Sequence, residues 1–199
     1  MNVRSDLSFP LTSLLTSDEK GKLLRLSRAT LQGAFSETPG SCLEAFERDL
    51  PATSSALKDN LPCFVTLLNK NGRLRGCIGS MVSFNPLYKN VYHMTRQAAF
   101  EDPRFNAVKA LEVPDLTIHI AVLGPLRPVV DLNELILGEQ GLQVSYGEKR
   151  GVLLASVAID HGFTKEQFLA ETCLKAGLDP NRVKNYQVST FDELSFEEN

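Results

Sequence analysis

The sequence predicts an α+β protein. Three observations carry that prediction: two amphipathic helical stripes, an Asn-Gly turn between two β-rich runs, and an apolar segment that alternates residue by residue. Of the 199 residues, 43% are hydrophobic and 23% charged, a globular composition that excludes disordered and fibrous classes. The 21 Lys and Arg against 24 Asp and Glu leave a formal net charge of −3, which argues against bulk binding to nucleic acid or anionic lipid. No apolar run approaches the ~20 residues that span a bilayer, and the amino terminus lacks the apolar heart of a signal peptide. A cytoplasmic setting without membrane attachment is expected.

Taken in order, Ser17-Asp18-Glu19 places anions at the positive end of a helix, and Leu23, Leu24, Leu31 and Ala34 continue it to about Phe35. Residues 36–60 lack sustained periodicity and hold at most one short helix near 42–50. Phe64 to Leu68 and Arg73 to Ser80 read as two strands joined by Asn71-Gly72, a two-residue hairpin signal. Asn85-Pro86 supplies a cap and a first-turn proline for a helix carrying Leu87, Val91, Met94 and Ala98 on one stripe, ending near Phe100 before Asp102-Pro103. Leu116, Ile118, Ile120 and Val122 alternate with Thr117, His119 and Ala121, as in a half-buried strand. Val144–Gly147 and Gly151–Ile159 read as two further strands, joined by Gly147-Glu148-Lys149-Arg150. Thr164 and Gln167 form a capping box for a helix closing at Gly177, and a last strand near Tyr186–Phe191 precedes an acidic end.

The four cysteines form no Cys-x-x-Cys pair and the three histidines are not clustered, so neither a metal, a disulfide framework nor another cofactor is expected. Cys42, Cys63 and Cys173 read as core fillers, and His93 and His161 as solvated. Cys77 differs. A two-residue turn at Asn71-Gly72 sets Leu68 opposite Arg75 and Thr66 opposite Cys77, with Arg75 and Cys77 on the same side of their strand. Residues two apart on a strand lie roughly 6 to 7 Å apart, where a guanidinium stabilises a thiolate by about 2.5 kcal/mol in a partly enclosed cleft. Gly76 and Gly79 lack a Cβ and leave room for a ligand or another backbone. The bland alternative is a small core hydrophobe. Arg104, in Asp102-Pro103-Arg104-Phe105, is either an anion clamp or one half of a local Asp102–Arg104 turn.

The run Leu74-Arg75-Gly76-Cys77-Ile78-Gly79 resembles the signature of the AMMECR1 family. Similarity extends to Phe64-Val65-Thr66-Leu67, Asp102-Pro103-Arg104-Phe105, Gly151-Val152-Leu153-Leu154 with Val157-Ala158, Phe168-Leu169, and Lys175-Ala176-Gly177-Leu178. It covers residues 18–193 and leaves 1–17 as an N-terminal extension and 194–199 as an acidic tail. Two departures stand out. Leu153-Leu154-Ala155 replaces a common Leu-Leu-Leu-Pro run, and His119 stands where an acidic residue is frequent, as a substitute proton carrier or as a hydrogen-bonded strand histidine. The resemblance implies antiparallel sheet with packed helices in two unequal subdomains of one unit, the signature hairpin near the groove between them. It implies no reaction. Bacterial and archaeal relatives are called system protein A of an AmmeMemoRadiSam set, which makes a Memo-like protein and a radical SAM protein the expected partners.

Two functions follow. In the first, the chain is an adaptor that binds a partner, or a small anionic or nucleotide-like ligand, through Arg75, Gly76, Gly79, Arg104, Thr66 and His119. In the second, Cys77 is the nucleophile or redox thiol of an enzyme. A purely structural motif, with the glycines allowing close packing, is the third reading.

Overall fold

The computed structural model describes residues 11–38, 40–51 and 55–198, and the chain divides into a larger unit, up to Leu123 and again from Ser195, and a smaller one, Gly124–Leu194. The fold is α+β with antiparallel strands throughout the pairings given below.

In the larger unit, helix α1 spans Ser17–Gly33. Its cap is Thr16, one residue earlier than the sequence suggests, because Thr16 and Glu19 close a reciprocal capping box. The residues read as an extension are partly structured. Leu11–Ser13 make a 3-10 turn with Leu11 and Leu15 buried, while 1–10 lie outside the described residues. Two short helices follow, α2 (Ser41–Asp49) and α3 (Ser55–Lys58). Strands β1 (Cys63–Leu68) and β2 (Leu74–Gly79) form the hairpin, and helix α4 (Leu87–Phe100) and strand β3 (Thr117–Leu123) complete the unit. β1 lies between β2 and β3, so β2 is an edge strand.

Period-2 geometry sends Val65, Leu67, Ile118 and Ile120 to one face, where all four are buried, and α4 packs against β1 and β2. The helices α1 and α4 bury Leu23, Leu26, Leu31, Leu87 and Val91, and share a buried hydroxyl pair, Ser27 Oγ to Thr95 Oγ1 at 2.7 Å. Asn85 does not cap α4. The Pro86 position precedes the helix without a side-chain cap, and the Asn85 carbonyl accepts from Asn90 instead.

The hairpin turn is longer than a two-residue loop. Asn69 accepts the Gly72 amide on its carbonyl and the Asn71 and Arg73 amides on Oδ1, and Gly72 sits at φ +72°. This is a three-residue loop, Lys70-Asn71-Gly72, with Gly72 in the left-handed position. A β-bulge then follows, in which the register shifts so that Leu68 faces Leu74 rather than Arg75. The two irregularities cancel. Beyond the bulge Leu67 faces Gly76, Thr66 faces Cys77 and Val65 faces Ile78, the register that the simpler turn implies.

In the smaller unit, β5 (Gln140–Tyr146) pairs with β6 (Lys149–Leu153) and with β7 (Gln187–Glu197), which also pairs with the two-residue β4 (Arg127–Pro128). Tyr146 faces Lys149 across a two-residue turn with Gly147 at φ +58°, so Lys149 and Arg150 already belong to the strand. The run to Ile159 is not one strand. After Leu153 the chain turns into helix α5 (Ala155–Asp160), which buries Ala155 and Ala158 and begins at an amide held by the Glu193 carboxylate at 2.7 Å. Small residues three apart suit a helix against a core of Leu135, Leu142, Leu153 and Phe168, and outweigh the β-branched Val157 and Ile159. Helix α6 (Lys165–Lys175) starts at the Thr164–Gln167 capping box and stops at Gly177, φ +66°. It crosses β6 so closely that a Cβ on Gly151 would lie 2.5 Å from the Thr172 carbonyl.

The residues read as an acidic tail are mostly strand. β7 runs on to Glu197, and its last residues enter the larger unit, where the Glu198 amide donates to the Ile118 carbonyl at 3.1 Å. Arg28 explains why they stay. It donates Nε to Glu198 Oε1 at 3.1 Å and also reaches the Val113 and Leu116 carbonyls. Among the described residues no helix is long and apolar enough to cross a membrane.

Candidate functional site

The site lies on the sheet face of the larger unit opposite its buried apolar side. Thr66 pairs with Cys77 on one side and with His119 on the other, so the three residues form one row across β2, β1 and β3. All three are half-buried. The Thr66 hydroxyl donates to Cys77 Sγ at 3.1 Å. Beyond His119, Nε2 lies 2.7 Å from Glu197 Oε2. Neighbouring strands are about 4.8 Å apart, which sets Cys77 and His119 roughly 10 Å apart, with Thr66 between them.

The main chain of Cys77 is held from the open side of β2. Asp102 Oδ2 accepts the Cys77 amide at 2.8 Å, and Arg104 Nη2 donates to the Cys77 carbonyl at 3.1 Å. The same carboxylate also accepts the Arg104 amide at 3.1 Å, its Nε at 2.9 Å and its Nη2 at 2.7 Å. Asp102 is 4% exposed, so its charge is retained only because four donors surround it. Bonding from Arg104 holds its carboxyl far below the usual carboxylate range, despite the opposing effect of burial. Arg104 is raised in turn, first by its bond to Asp102, with smaller contributions from the charge and hydrogen bonding of Cys77. The local turn of Arg104 with Asp102 is formed, and the Arg104 side chain remains 54% exposed.

Arg75 does not serve the sulfur in the way its spacing suggests. Its Nε and Nη2 bind the two oxygens of Glu112 at 2.7 and 3.1 Å, and Glu112 also accepts the Lys109 amide. Bonding from Arg75 lowers the Glu112 carboxyl. Arg75 is the residue at the bulge and is taken by Glu112, while Arg104, 27 residues after Cys77, brings a guanidinium to the Cys77 carbonyl. Arg75→Ala is therefore expected to cost about 1–2 kcal/mol in urea unfolding, by leaving a partly buried carboxylate without its partner, and to leave the alkylation rate of Cys77 little changed. A large drop in that rate would place Arg75 beside the thiol after all.

The space beside the two glycines is filled by the chain itself. A Cβ on Gly76 would meet the Ala98 carbonyl oxygen at 2.0 Å, and one on Gly79 would meet the Phe64 ring at 2.1 Å. Cys63 and Cys173 are buried and Cys42 is half-buried, and burial pushes the Cys63 thiol up to about 12. His93 and His161 are exposed. No group of three or more metal-ligating side chains occurs among the described residues. Sequence reasoning missed Glu112 and Glu197. Glu112 carries only a weak turn signal, and Glu197 reads as tail because a solvated acidic end and an acidic strand edge look alike in sequence.

An α+β fold with a half-buried thiol on an edge strand, its main chain clasped by an Asp-Pro-Arg turn, defines the class of protein. The AMMECR1 family model matches residues 24–196, and the chain belongs to that family. A protein of Methanothermobacter thermautotrophicus is 35% identical over 192 residues, covering 90% of this chain and 96% of its own. One from Aquifex aeolicus is 35% identical over 157 residues, covering 74% of this chain and 80% of its own. The crystal structure of an uncharacterized protein from Pyrococcus horikoshii superposes with a TM-score of 0.76 at 30% identity, covering 88% of this chain and 89% of that one.

Proposed function

We propose that the chain works through Cys77 as a nucleophilic or redox thiol, in a cytoplasmic setting that suits its four free cysteines. The observation that carries this reading is the Thr66 hydroxyl donating to Sγ at 3.1 Å, with the Arg104 guanidinium bonded to the Cys77 carbonyl. A thiol attacks or is oxidised through its sulfur, and the Thr66 hydroxyl fixes where that sulfur sits. Iodoacetamide at neutral pH should alkylate Cys77 at least about ten-fold faster than Cys42, which is also half-buried. Thr66→Val should slow Cys77 by about five-fold, the equivalent of one hydrogen bond near 1 kcal/mol. Equal rates at Cys77 and Cys42 would overturn the reading.

A second reading is favoured because, among the described residues, no base is bonded to the sulfur. Asp102 is saturated by four donors and His119 is two strands away. In this reading the row is a docking surface and a partner supplies the chemistry; a Memo-like protein and a radical SAM protein are the partners that the family resemblance suggests. The half-exposed Arg104 is the group suited to a small anionic ligand on that surface. Cys77→Ser would then preserve partner binding while Arg104→Ala weakens it.

A further inference from the structure

We infer that His119, oriented by Glu197, is the proton acceptor that releases an acyl group carried on Cys77, which would make the site one for activated acyl compounds such as esters and thioesters. The inference rests on the thiol reading above and adds a second step to it.

Cys77, Thr66 and His119 project from one face in a single cross-strand row. The 2.7 Å contact to Glu197 occupies Nε2 of the imidazole and leaves Nδ1 as the nitrogen able to accept a proton. A separation of roughly 10 Å between the two backbones is too wide for a direct thiol–imidazole bond. An acyl group on the sulfur and one water molecule, lying over the Thr66 side chain that stands between them, would bridge that separation. In the first step the Cys77 thiolate attacks the carbonyl carbon, the S–C bond forms, and the bond to the alkoxide or thiolate leaving group breaks. In the second, His119 Nδ1 takes a proton from water, whose oxygen attacks the same carbon. The C–S bond then breaks, the thiolate is regenerated, the product leaves as a carboxylic acid that gives its remaining proton to solvent, and the imidazolium returns the other proton to solvent. His119 would touch the attacking water, and Glu197 is a positioning residue.

The test is acetylation of the full chain with p-nitrophenyl acetate, removal of excess reagent, and mass spectrometry of the decay of the acetyl group on Cys77. The native chain should acetylate at Cys77 and deacetylate with turnover. His119→Ala should still acetylate at Cys77 but deacetylate about a hundred-fold more slowly, and added imidazole should restore the decay. Glu197→Gln should slow the same step by a smaller factor, and Glu197→Asp should recover part of the loss. Equal decay in native and His119→Ala chains overturns this inference while leaving the alkylation result intact. A native chain that does not acetylate at Cys77 overturns it as well, and slow iodoacetamide labelling would independently sink the reading on which it rests.

Discussion

Gly76→Ala is expected to destabilise the protein by about 3 kcal/mol or more in urea unfolding. The added methyl would sit 2.0 Å from the Ala98 carbonyl oxygen and 3.0 Å from its carbon, both backbone atoms of α4. A flexible side chain could swing away from such a contact. A helix that has buried Leu87, Val91 and Ala98 cannot retreat without opening the core of the larger unit. Gly79→Ala meets the Phe64 ring at 2.1 Å, and that ring belongs to a half-buried side chain that has somewhere to go. Gly76→Ala should therefore be the more damaging of the two, and an unchanged midpoint for it would contradict the packing described.

Asp102→Asn is expected to cost about 3 kcal/mol. The substitution keeps the shape but turns an acceptor of four hydrogen bonds into a neutral amide, whose NH2 must face either the Cys77 amide or the Arg104 guanidinium. The effect depends on pH with a definite sign. Because the folded-state pKa of Asp102 is depressed, its stabilisation is complete above the ordinary carboxylate value. It is lost as the pH falls below that value toward the depressed one. The stability gap between native and Asp102→Asn chains should be widest at neutral pH and should shrink on acidification below about pH 4. A gap that widens on acidification would refute the assignment.

Much of this arrangement was legible in the sequence, for identifiable reasons. The hairpin, its Thr66–Cys77 pairing, α4 and the α6 capping box all rest on local signals: turn residues, period-2 and period-3.6 patterns, and caps. The Asp102–Arg104 turn was visible as one of two options because its partners are two residues apart. What sequence does not encode locally is which distant side chain completes a charge. Arg75 looks as if it belongs to Cys77 because they are neighbours on a strand, but it is the residue at the bulge and is taken by Glu112, 37 residues away. Glu197 reaches His119 from the far end of the chain. The α5 error had a different cause, since a run of apolar residues after a strand has no periodicity long enough to separate strand from helix.

The larger unit is discontinuous in sequence, and this bears on how the protein is made. Residues up to Leu123 emerge first, but Glu197 and Glu198, which engage His119 and Arg28, come only after the whole of the smaller unit. At 5 to 20 residues per second, ribosomes need roughly 4 to 15 seconds for that interval. During it the nascent chain holds Cys77 and His119 without the glutamate that meets the imidazole, so the His119–Glu197 contact forms only after the smaller unit has been made.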